Sequence, residues 1–357
     1  MRPGTNSIRT VTPGLAFAIA LAVVAKGLYF ISGAAVSAVL CAIVIGMLWR
    51  NVIGVGARAE PGLEFASEKL LRIGIALIGL RLTLMVLADV SIVALPIVIA
   101  CVTVALLTTL GLGRVLGVAP VMRQLLAAGT AICGCTAIIA VAPLLRAHKA
   151  DMSIALTCVV LFGSLAMMGY PWLAGVVFGN APVPAGMFFG SSIHDTSQVI
   201  GAALIYADHF GAPDAVPIAG LTKFLRTLGL LVLVPLAAFR TAGSEATQTG
   251  GEALDLRRKV VPMFVIVFIG LVILRTVGDS LVGTSGEMFQ QWQGILAIGQ
   301  TVSEWLLLCG IAAVGLGVTV SHLLDAGWRP ICVAFTAAVL TGACGLGLTY
   351  WCRVASS

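Results

Sequence analysis

The stretch Ala128-Gly-Thr-Ala-Ile-Cys-Gly-Cys-Thr136 lies in the middle of a long apolar segment. A second stretch of similar composition, Gly190-Ser-Ser-Ile-His-Asp-Thr-Ser-Gln198, lies in the middle of another apolar segment. Both place glycine and hydroxyl residues where a helix that faces lipid would place leucine. A membrane tolerates such an interruption only where the backbone lines a cavity or is buried in protein. The sequence therefore predicts two discontinuous or re-entrant helices that face one cavity near the membrane midplane.

The composition of the whole chain places it in a membrane. Hydrophobic residues make up 59% of the 357 residues and charged residues only 10%, whereas a soluble domain carries about 25% charged residues. A chain with so few charges has too little polar surface to face water, so most of its exterior must face lipid. The expected fold is all-α and polytopic, with a single membrane transporter domain over residues 1–357 whose first helix is retained.

Apolar segments long enough to span a bilayer recur along the chain, and we expect about 9–11 of them to be transmembrane. They cover approximately residues 14–31, 33–49, 65–88, 91–112, 121–146, 152–178, 184–206, 217–239, 259–282, 294–320 and 329–352. One polar loop separates two of these segments, at residues 241–258. It ends in Arg257 and Arg258, so we expect it to be cytoplasmic, where Lys and Arg collect.

An internal repeat indicates a transporter. Ser67–Asp89 aligns without gaps with Ser303–Asp325, with 12 identities in 23 positions. Repeats of this kind are typical of secondary transporters, and we predict inverted repeats over about residues 14–146 and 184–352.

Full crossing of every segment would place the loop with Arg146 and Lys149 outside. Re-entry of both interrupted segments would place all the basic loops inside, so the charges favour re-entry and leave full crossing open.

A helix that begins inside the membrane exposes free backbone N–H groups and a positive dipole end, which together favour an anion. The two interrupted segments and the helix after them supply the candidate substrate site. Its residues are Gly129, Thr130, Cys133, Gly134, Thr136, Ser191, Ser192, His194, Asp195, Ser197, Gln198, Lys223 and Arg226. The alternative for the hydroxyl residues is that they only allow helices to pack closely.

Four ionisable residues are candidates for proton or ion coupling: His194, Asp195, Glu68 and Glu304. His194 changes charge near neutral pH, and it either takes part in transport or only packs. Asp195 either takes part in transport or starts a half-helix as a capping box with Gln198. Glu68 and Glu304 occupy equivalent repeat positions, and the alternative is that they end helices at the membrane surface.

Lys223 and Arg226 lie three residues apart, on one face of a helix. They either draw an anion into the cavity or extend to the membrane interface. The sequence contains no metal-ligand spacing, since the C-x-C of Cys133 and Cys135 has no second pair. We expect no metal, no cofactor and no nucleic acid, and no enzymatic activity, because no HExxH or similar catalytic motif is present.

Three motifs carry a resemblance to a known family: Gly129-Thr-Ala-Ile-Cys-Gly-Cys-Thr-Ala-Ile138, Gly190-Ser-Ser-Ile-His-Asp-Thr-Ser-Gln-Val199 and Leu221-Thr-Lys-Phe-Leu-Arg226. They resemble the YeiH family of bacterial inner-membrane proteins, described as sulfate exporters, and the resemblance covers nearly the whole chain. It implies the fold of the sodium/proton antiporter and bile-acid symporter superfamily, with inverted repeats around discontinuous helices. It also implies a sulfur oxyanion or sulfonate as substrate.

The combined expectation is a multi-pass transporter of the bacterial inner membrane that exports a small anion such as sulfate by alternating access. A cation/proton antiporter is the alternative within transport. An intramembrane enzyme and a passive anion channel are the alternatives outside it. The expected partners are a small anionic substrate and the lipid bilayer, and the sequence leaves a homodimer open.

Overall fold

The computed structural model of the protein describes residues 8–32, 36–228, 263–283, 285–319 and 327–356. Within these ranges the chain forms helices joined by turns, and no strand is present. The all-α fold predicted from the composition is confirmed. The polar loop predicted at 241–258 and the repeat residue Asp325 lie outside the described residues.

Six helices in the described ranges are long and apolar enough to cross a membrane. They are Thr10–Ile31, Leu84–Val115, Lys149–Phe178, Met263–Val282, Glu287–Gly317 and Trp328–Val354. These helices confirm a polytopic membrane protein. The other predicted segments are broken in the middle, form shorter helices, or continue beyond residue 228 outside the described ranges.

The first part of the chain forms two helices followed by an irregular one. The two helices are α1 (Ile8–Ile31) and α2 (Ala38–Val52). The irregular one consists of α3 (Glu60–Phe65), a π-helical turn (Ala66–Leu70), α4 (Leu71–Leu77) and a 3-10 turn (Ile78–Arg81). We call this run of helical pieces the interrupted helix.

The break after the interrupted helix lies earlier than predicted. The apolar segments at 65–88 and 91–112 predicted a turn near residue 90, but Leu82 is the extended residue, with φ −115° and ψ 148°. A single helix, α5, then runs from Leu84 to Val115. The stretch around Asp89 contains no Gly or Pro to stop a helix. The Asp89 side chain is exposed near the start of α5, where the helix dipole favours a negative charge.

The chain folds into two compact units, and each unit draws on both halves of the sequence. Unit 1 comprises Met1–Val86, Ala207–Gly211 and Val267–Thr319. Unit 2 comprises Leu87–Tyr206, Ala212–Ile266 and Val320–Ser357. Each unit therefore takes elements from both predicted repeats.

In unit 1 the interrupted helix packs against α13 (Glu287–Gly317), which follows α12 (Met263–Val282). A Cβ atom added at Gly74 would lie 2.9 Å from Cγ of Leu307, and one added at Gly310 would lie 2.7 Å from Cδ1 of Leu71. Leu71 and Leu307 are equivalent in the aligned repeat, and so are the two glycines. The contact is thus reciprocal, as it is across a two-fold axis.

The two repeat helices also end in the same way. Leu82 and Val318, which are equivalent in the alignment, are both extended. Their N–H groups donate to the carbonyl oxygens of Gly79 and Gly315, at 3.2 Å and 3.3 Å. Glycines at these equivalent positions again allow close approach of a neighbouring helix, α12 in one case and α2 in the other. This pattern is expected of paired repeats, and inversion over the whole chain stays a prediction.

Unit 2 contains the two interrupted segments and the long helices around them. Its elements after α5 are α6 (Pro120–Ala131), α7 (Cys135–Val141), α8 (Lys149–Phe178), α9 (Pro182–Ser192), α10 (Thr196–Phe210, as far as Tyr206), α11 (Ala215–Thr227) and α14 (Trp328–Ser356). Proline begins both α6 and α9, as is favoured at the first helical position. Residues from α6, α7, α8 and α14 form one buried apolar cluster, which fixes the first interrupted segment.

Candidate substrate site at two helix breaks

Both interrupted segments are broken at equivalent positions. In the first, α6 ends at Ala131 and α7 begins at Cys135. In the second, α9 ends at Ser192 and α10 begins at Thr196. The first break includes Gly134 with φ 62°, a conformation that favours glycine, whereas the second is extended at its first residue. The predicted discontinuity of the two helices is present.

Each pair of half-helices folds back on itself. A Cβ atom at Gly129 on α6 would lie 2.7 Å from Cδ1 of Ile138 on α7, although a straight helix would separate the two residues by about 13 Å at 1.5 Å per residue. Tyr206, near the end of α10, donates a hydrogen bond of 2.7 Å to the carbonyl of Gly179, just before α9. We call α6–α7 the first hairpin and α9–α10 the second hairpin, with residues 132–134 and 193–195 as their tips.

The two tips lie in contact. A Cβ atom at Gly134 would lie 2.8 Å from Oδ2 and 3.2 Å from Cα of Asp195, so only glycine fits at this point. His194 Nδ1 lies 3.1 Å from the carbonyl oxygen of Thr130 on the first hairpin. The structure thus brings the two quoted stretches together, at their breaks.

Lys223 on α11 lies beneath the tips and is fully buried. Its ammonium donates to the carbonyl oxygens of Ile132 and Ile193, both at 2.9 Å, and to that of His194. The three acceptors come from both tips. They match the three N–H donors of an ammonium group.

Arg226, one turn later on α11, is also fully buried and binds both hairpins. Its Nε donates to the carbonyl of Ala131 at 2.8 Å, and one terminal nitrogen donates to Ser191 at 2.7 Å and to Ile193 at 3.1 Å. The other terminal nitrogen donates to the carbonyl of Thr130. These carbonyls end α6 and α9, where the helix dipole is negative. The interfacial alternative for Lys223 and Arg226 is wrong, because neither side chain is exposed.

Glycines on α9 bring α11 close enough for these contacts. A Cβ atom at Gly190 would lie 2.6 Å from the carbonyl oxygen of Ala219, and one at Gly186 would lie 2.8 Å from that of Ala215. The two helices therefore pack with their backbones nearly touching. This close approach lets side chains of α11 reach the last carbonyls of α9.

Asp195 caps the second half-helix of its hairpin. Its Oδ1 accepts hydrogen bonds from the backbone N–H of Ser197 at 3.0 Å and from the Ser197 hydroxyl at 2.6 Å. The capping interpretation is confirmed for Asp195, but the part given to Gln198 is wrong. Gln198 donates instead to the carbonyl of Val160 at 2.9 Å and to the Ser164 hydroxyl at 3.2 Å, because its side chain faces α8.

The candidate residues divide into a buried set and an accessible rim. Thr130, Ser191, Ser192, His194 and Cys133 are buried. The accessible rim consists of Thr136, which is exposed, and Cys135, Asp195 and Thr196, which are partly exposed. Cys135 was not among the predicted site residues, although it is the neighbour of the predicted residue Thr136.

The hydroxyl groups of Thr130 and Ser191 donate within their own helices, whereas the buried Ser192 hydroxyl has no hydrogen-bond partner among the described residues. The Thr130 hydroxyl donates to the carbonyl of Leu126 at 2.8 Å and lies 3.0 Å from the Thr109 hydroxyl. The Ser191 hydroxyl donates to the carbonyl of Phe188 at 3.2 Å. Thr136 and Thr196 are therefore the more accessible hydroxyl groups of the candidate site.

Glu68 and Glu304 are not grouped with the tips, because both belong to unit 1. Glu304 pairs with Arg81 at 2.7 Å, and Glu68 lies 3.8 Å from Arg72, one turn along the same helix. The pairing differs between the repeats because the equivalent of Arg81 is Gly317. Glu68 therefore has no equivalent of the Arg81 side chain to pair with in the second repeat.

Comparison with known proteins agrees with the motifs. The sequence model of the family described as conserved hypothetical protein 698 matches residues 13–334. The chain is 30% identical over 329 residues to the inner membrane protein YeiH of Escherichia coli, covering 90% of this chain and 88% of the relative. It is 32% identical over 332 residues to the membrane protein TauZ of Paracoccus pantotrophus, covering 92% and 91%.

A UPF0324 membrane protein of Corynebacterium glutamicum is 29% identical over 348 residues, which cover 97% of this chain and 94% of the relative. No solved structure matches the chain. With its six helices of membrane-spanning length, the chain is a multi-pass protein of the bacterial inner membrane. The protein belongs to the UPF0324 family of membrane proteins, to which YeiH and TauZ also belong.

Proposed function

We propose that this protein is a secondary transporter that exports a small anion, sulfate or a related sulfur oxyanion or sulfonate, by alternating access around the two hairpin tips. One observation carries the proposal. Two fully buried cations, Lys223 and Arg226, lie beneath the accessible rim, and Asp195 is the carboxylate at that rim. Charges held in an interior of low dielectric act strongly on a nearby ligand. Their combined sign favours an anion.

The rim has the chemistry to bind an oxyanion. The hydroxyl groups of Thr136 and Thr196 are accessible donors, and they lie at the start of α7 and α10. Hydrogen bonds from neutral donors suit sulfate or sulfonate oxygens, while the buried cations supply the positive potential. The substrate would therefore bind without displacing Lys223 or Arg226 from their carbonyl partners.

The arrangement of helices supports alternating access. Two hairpins meet at their tips in unit 2, and two repeat helices make reciprocal contacts in unit 1. In unit 1 Leu71 lies against Gly310 and Gly74 lies against Leu307, so one helix advances as the other recedes and the two run antiparallel. Paired elements of opposite direction are typical of transporters that work by alternating access. The same features support re-entry of both hairpins into the membrane.

A cation/proton antiporter is the second candidate, because Asp195 is a partly exposed carboxylate at the rim. The two buried cations beneath it oppose a transported cation. His194 is buried, its carbonyl accepts a hydrogen bond from Lys223, and its imidazole contacts the carbonyl of Thr130 on the first hairpin. We therefore retain Asp195 as the coupling candidate and regard His194 as a positioning residue.

The test is counterflow in proteoliposomes that contain the purified protein. Labelled sulfate, thiosulfate and taurine are offered outside, with the unlabelled compound inside. A transporter accumulates label transiently because it exchanges one solute molecule for another, whereas a channel only equilibrates it. Absence of counterflow for every anion tested, or electrodiffusive flux alone, would contradict the proposal.

A matched pair of variants localises the activity. Thr136→Val removes an exposed hydroxyl from the rim, whereas Thr103→Val removes an exposed hydroxyl that donates to its own helix on α5 at 2.8 Å. We expect counterflow to fall in Thr136→Val and to stay near the wild-type rate in Thr103→Val. Equal rates in the two variants would exclude the rim as the binding site.

A further inference from the structure

We propose that the carbonyl oxygens of Ile132, Ile193 and His194 form a site for a small monovalent cation, which this chain fills permanently with the Lys223 ammonium. The protein then carries its own cation at the tips and needs no free Na⁺ or K⁺ there. The part of this inference that concerns anion transport rests on the proposed function. The part that concerns cation binding does not.

The geometry is that of a cation site. Three carbonyl oxygens surround the Lys223 nitrogen, two of them at 2.9 Å. Cages of backbone carbonyls are the ligands with which proteins replace the hydration shell of an alkali cation. An ammonium group supplies three donors and no acceptor, so it satisfies all three oxygens at once.

The oxygens need a cation because of where they lie. They belong to the two tips, where α6 and α9 end and the dipoles of both helices are negative. Buried carbonyl groups without partners are destabilising, so an empty site would drive the tips apart. The ammonium removes this cost and joins the first hairpin to the second.

Arg226 does not fill the same site. Of its four carbonyl partners only that of Ile193 is shared with Lys223, and there the distance is 3.1 Å. Its other partners are Ala131, Ser191 and Thr130, which precede the tips. Removing the Lys223 side chain therefore leaves the oxygens of Ile132 and His194 without either of the two cations.

Two substitutions separate an empty site from a filled one. Lys223→Ala removes the ammonium and its stem and leaves room beside the carbonyls. Lys223→Met fills the same space with an uncharged chain of similar length. The proteins are purified in detergent, and the unfolding temperature Tm is measured in chloride salts of methylammonium, Na⁺, K⁺ and N-methylglucamine at equal ionic strength.

We expect methylammonium, and to a smaller extent Na⁺ or K⁺, to raise the Tm of Lys223→Ala in a saturable manner, because a ligand stabilises the state that binds it. Lys223→Met and the wild type should show no shift beyond that in N-methylglucamine. An equal shift in the Ala and Met variants, or no shift in Lys223→Ala, would overturn the proposal.

The wild type provides a test that does not depend on either variant folding. Because Lys223 fills the site, its Tm should be the same in Na⁺, K⁺ and N-methylglucamine, and a saturable rise in Na⁺ alone would overturn the proposal. In proteoliposomes, anion counterflow should keep its rate when Na⁺ and K⁺ are replaced by N-methylglucamine. Loss of counterflow only in that medium contradicts this inference, whereas absence of counterflow in every medium contradicts the proposed function.

Discussion

The ammonium of Lys223 donates a hydrogen bond to the backbone carbonyl of His194, at the tip of the second hairpin. The imidazole of the same residue reaches the carbonyl of Thr130 on the first hairpin, at 3.1 Å. His194 therefore contacts a buried cation through its main chain and the other hairpin through its side chain. A residue held in this way fixes the position of both tips, and its substitution tests that position directly.

We predict that His194→Gln keeps most of the anion counterflow and that His194→Ala loses it. Glutamine retains a donor for the carbonyl of Thr130, whereas alanine removes this hydrogen bond, at a cost of about 0.5–1.5 kcal/mol, and leaves the oxygen to Arg226 alone. The dependence of the rate on pH should be the same in wild type and His194→Gln between about pH 6 and pH 8, since the role proposed for His194 is to hold the first hairpin through the carbonyl of Thr130. A wild-type pH response that disappears in His194→Gln would instead show proton coupling through this residue.

The cap at Asp195 gives a prediction that separates stability from charge. Asn is as good a helix cap as Asp, so Asp195→Asn should leave Tm near the wild-type value. Asp195→Ala removes the cap and should lower the free energy of unfolding by about 1 kcal/mol. Removal of the rim carboxylate should also tighten sulfate binding in Asp195→Asn, measured by titration of the purified protein. If Asp195 carries a coupling ion, counterflow will instead be lost in the Asn variant while stability is retained.

Gly134 is the residue at which the tips are closest, so we predict that Gly134→Ala is strongly destabilising. The positive φ of 62° alone costs an alanine about 1–2 kcal/mol. The added methyl group would also lie 2.8 Å from a carboxylate oxygen of Asp195. The measurement is the midpoint of thermal unfolding in detergent.

Gly169 provides the matched control for Gly134. It lies inside α8, and a Cβ atom there would meet nothing within 4 Å. Gly169→Ala should therefore be neutral or stabilising, by up to about 1 kcal/mol. Similar unfolding midpoints for the two alanine variants would show that the tips are not in contact.

The reciprocal contact in unit 1 predicts matching behaviour at equivalent positions. Gly74→Ala should destabilise the protein because the new methyl group would lie 2.9 Å from Cγ of Leu307, and Leu307→Ala in the same chain should relieve part of that loss. Residues in contact show such non-additive effects, typically of about 0.5–3 kcal/mol. Gly310→Ala with Leu71→Ala should repeat the result.

The control for this pair is Gly111→Ala on α5, where a Cβ atom would meet nothing within 4 Å. It should show no coupling to Leu307→Ala. Strict additivity at Gly74 and Leu307, with coupling at Gly310 and Leu71 alone, would contradict the reciprocal packing.

The membrane class and the two broken helices were evident from the sequence, because both depend on local composition. Apolar length is what a bilayer requires, and glycine with hydroxyl residues inside an apolar run marks a break wherever it occurs. The aligned repeat likewise showed that the interrupted helix and α13 carry equivalent glycines, although it did not place the end of the first at Leu82. The capping role of Asp195 is also local, since its hydrogen bonds join residues two apart.

The partners of each side chain became known only from the three-dimensional arrangement of the helices. Every residue has a carbonyl group, so no sequence pattern identifies Ile132, Ile193 and His194 as the partners of Lys223. The Gln198 side chain faces α8 because α8 has a glycine, Gly163, at the point where the two helices approach each other. The break at Leu82 is likewise not marked in the sequence by any strong helix breaker. The sequence determined where the membrane helices are interrupted, because interruption is a property of a few adjacent residues. The fold decided that two buried cations join the interruptions, because that depends on residues brought together from distant parts of the chain.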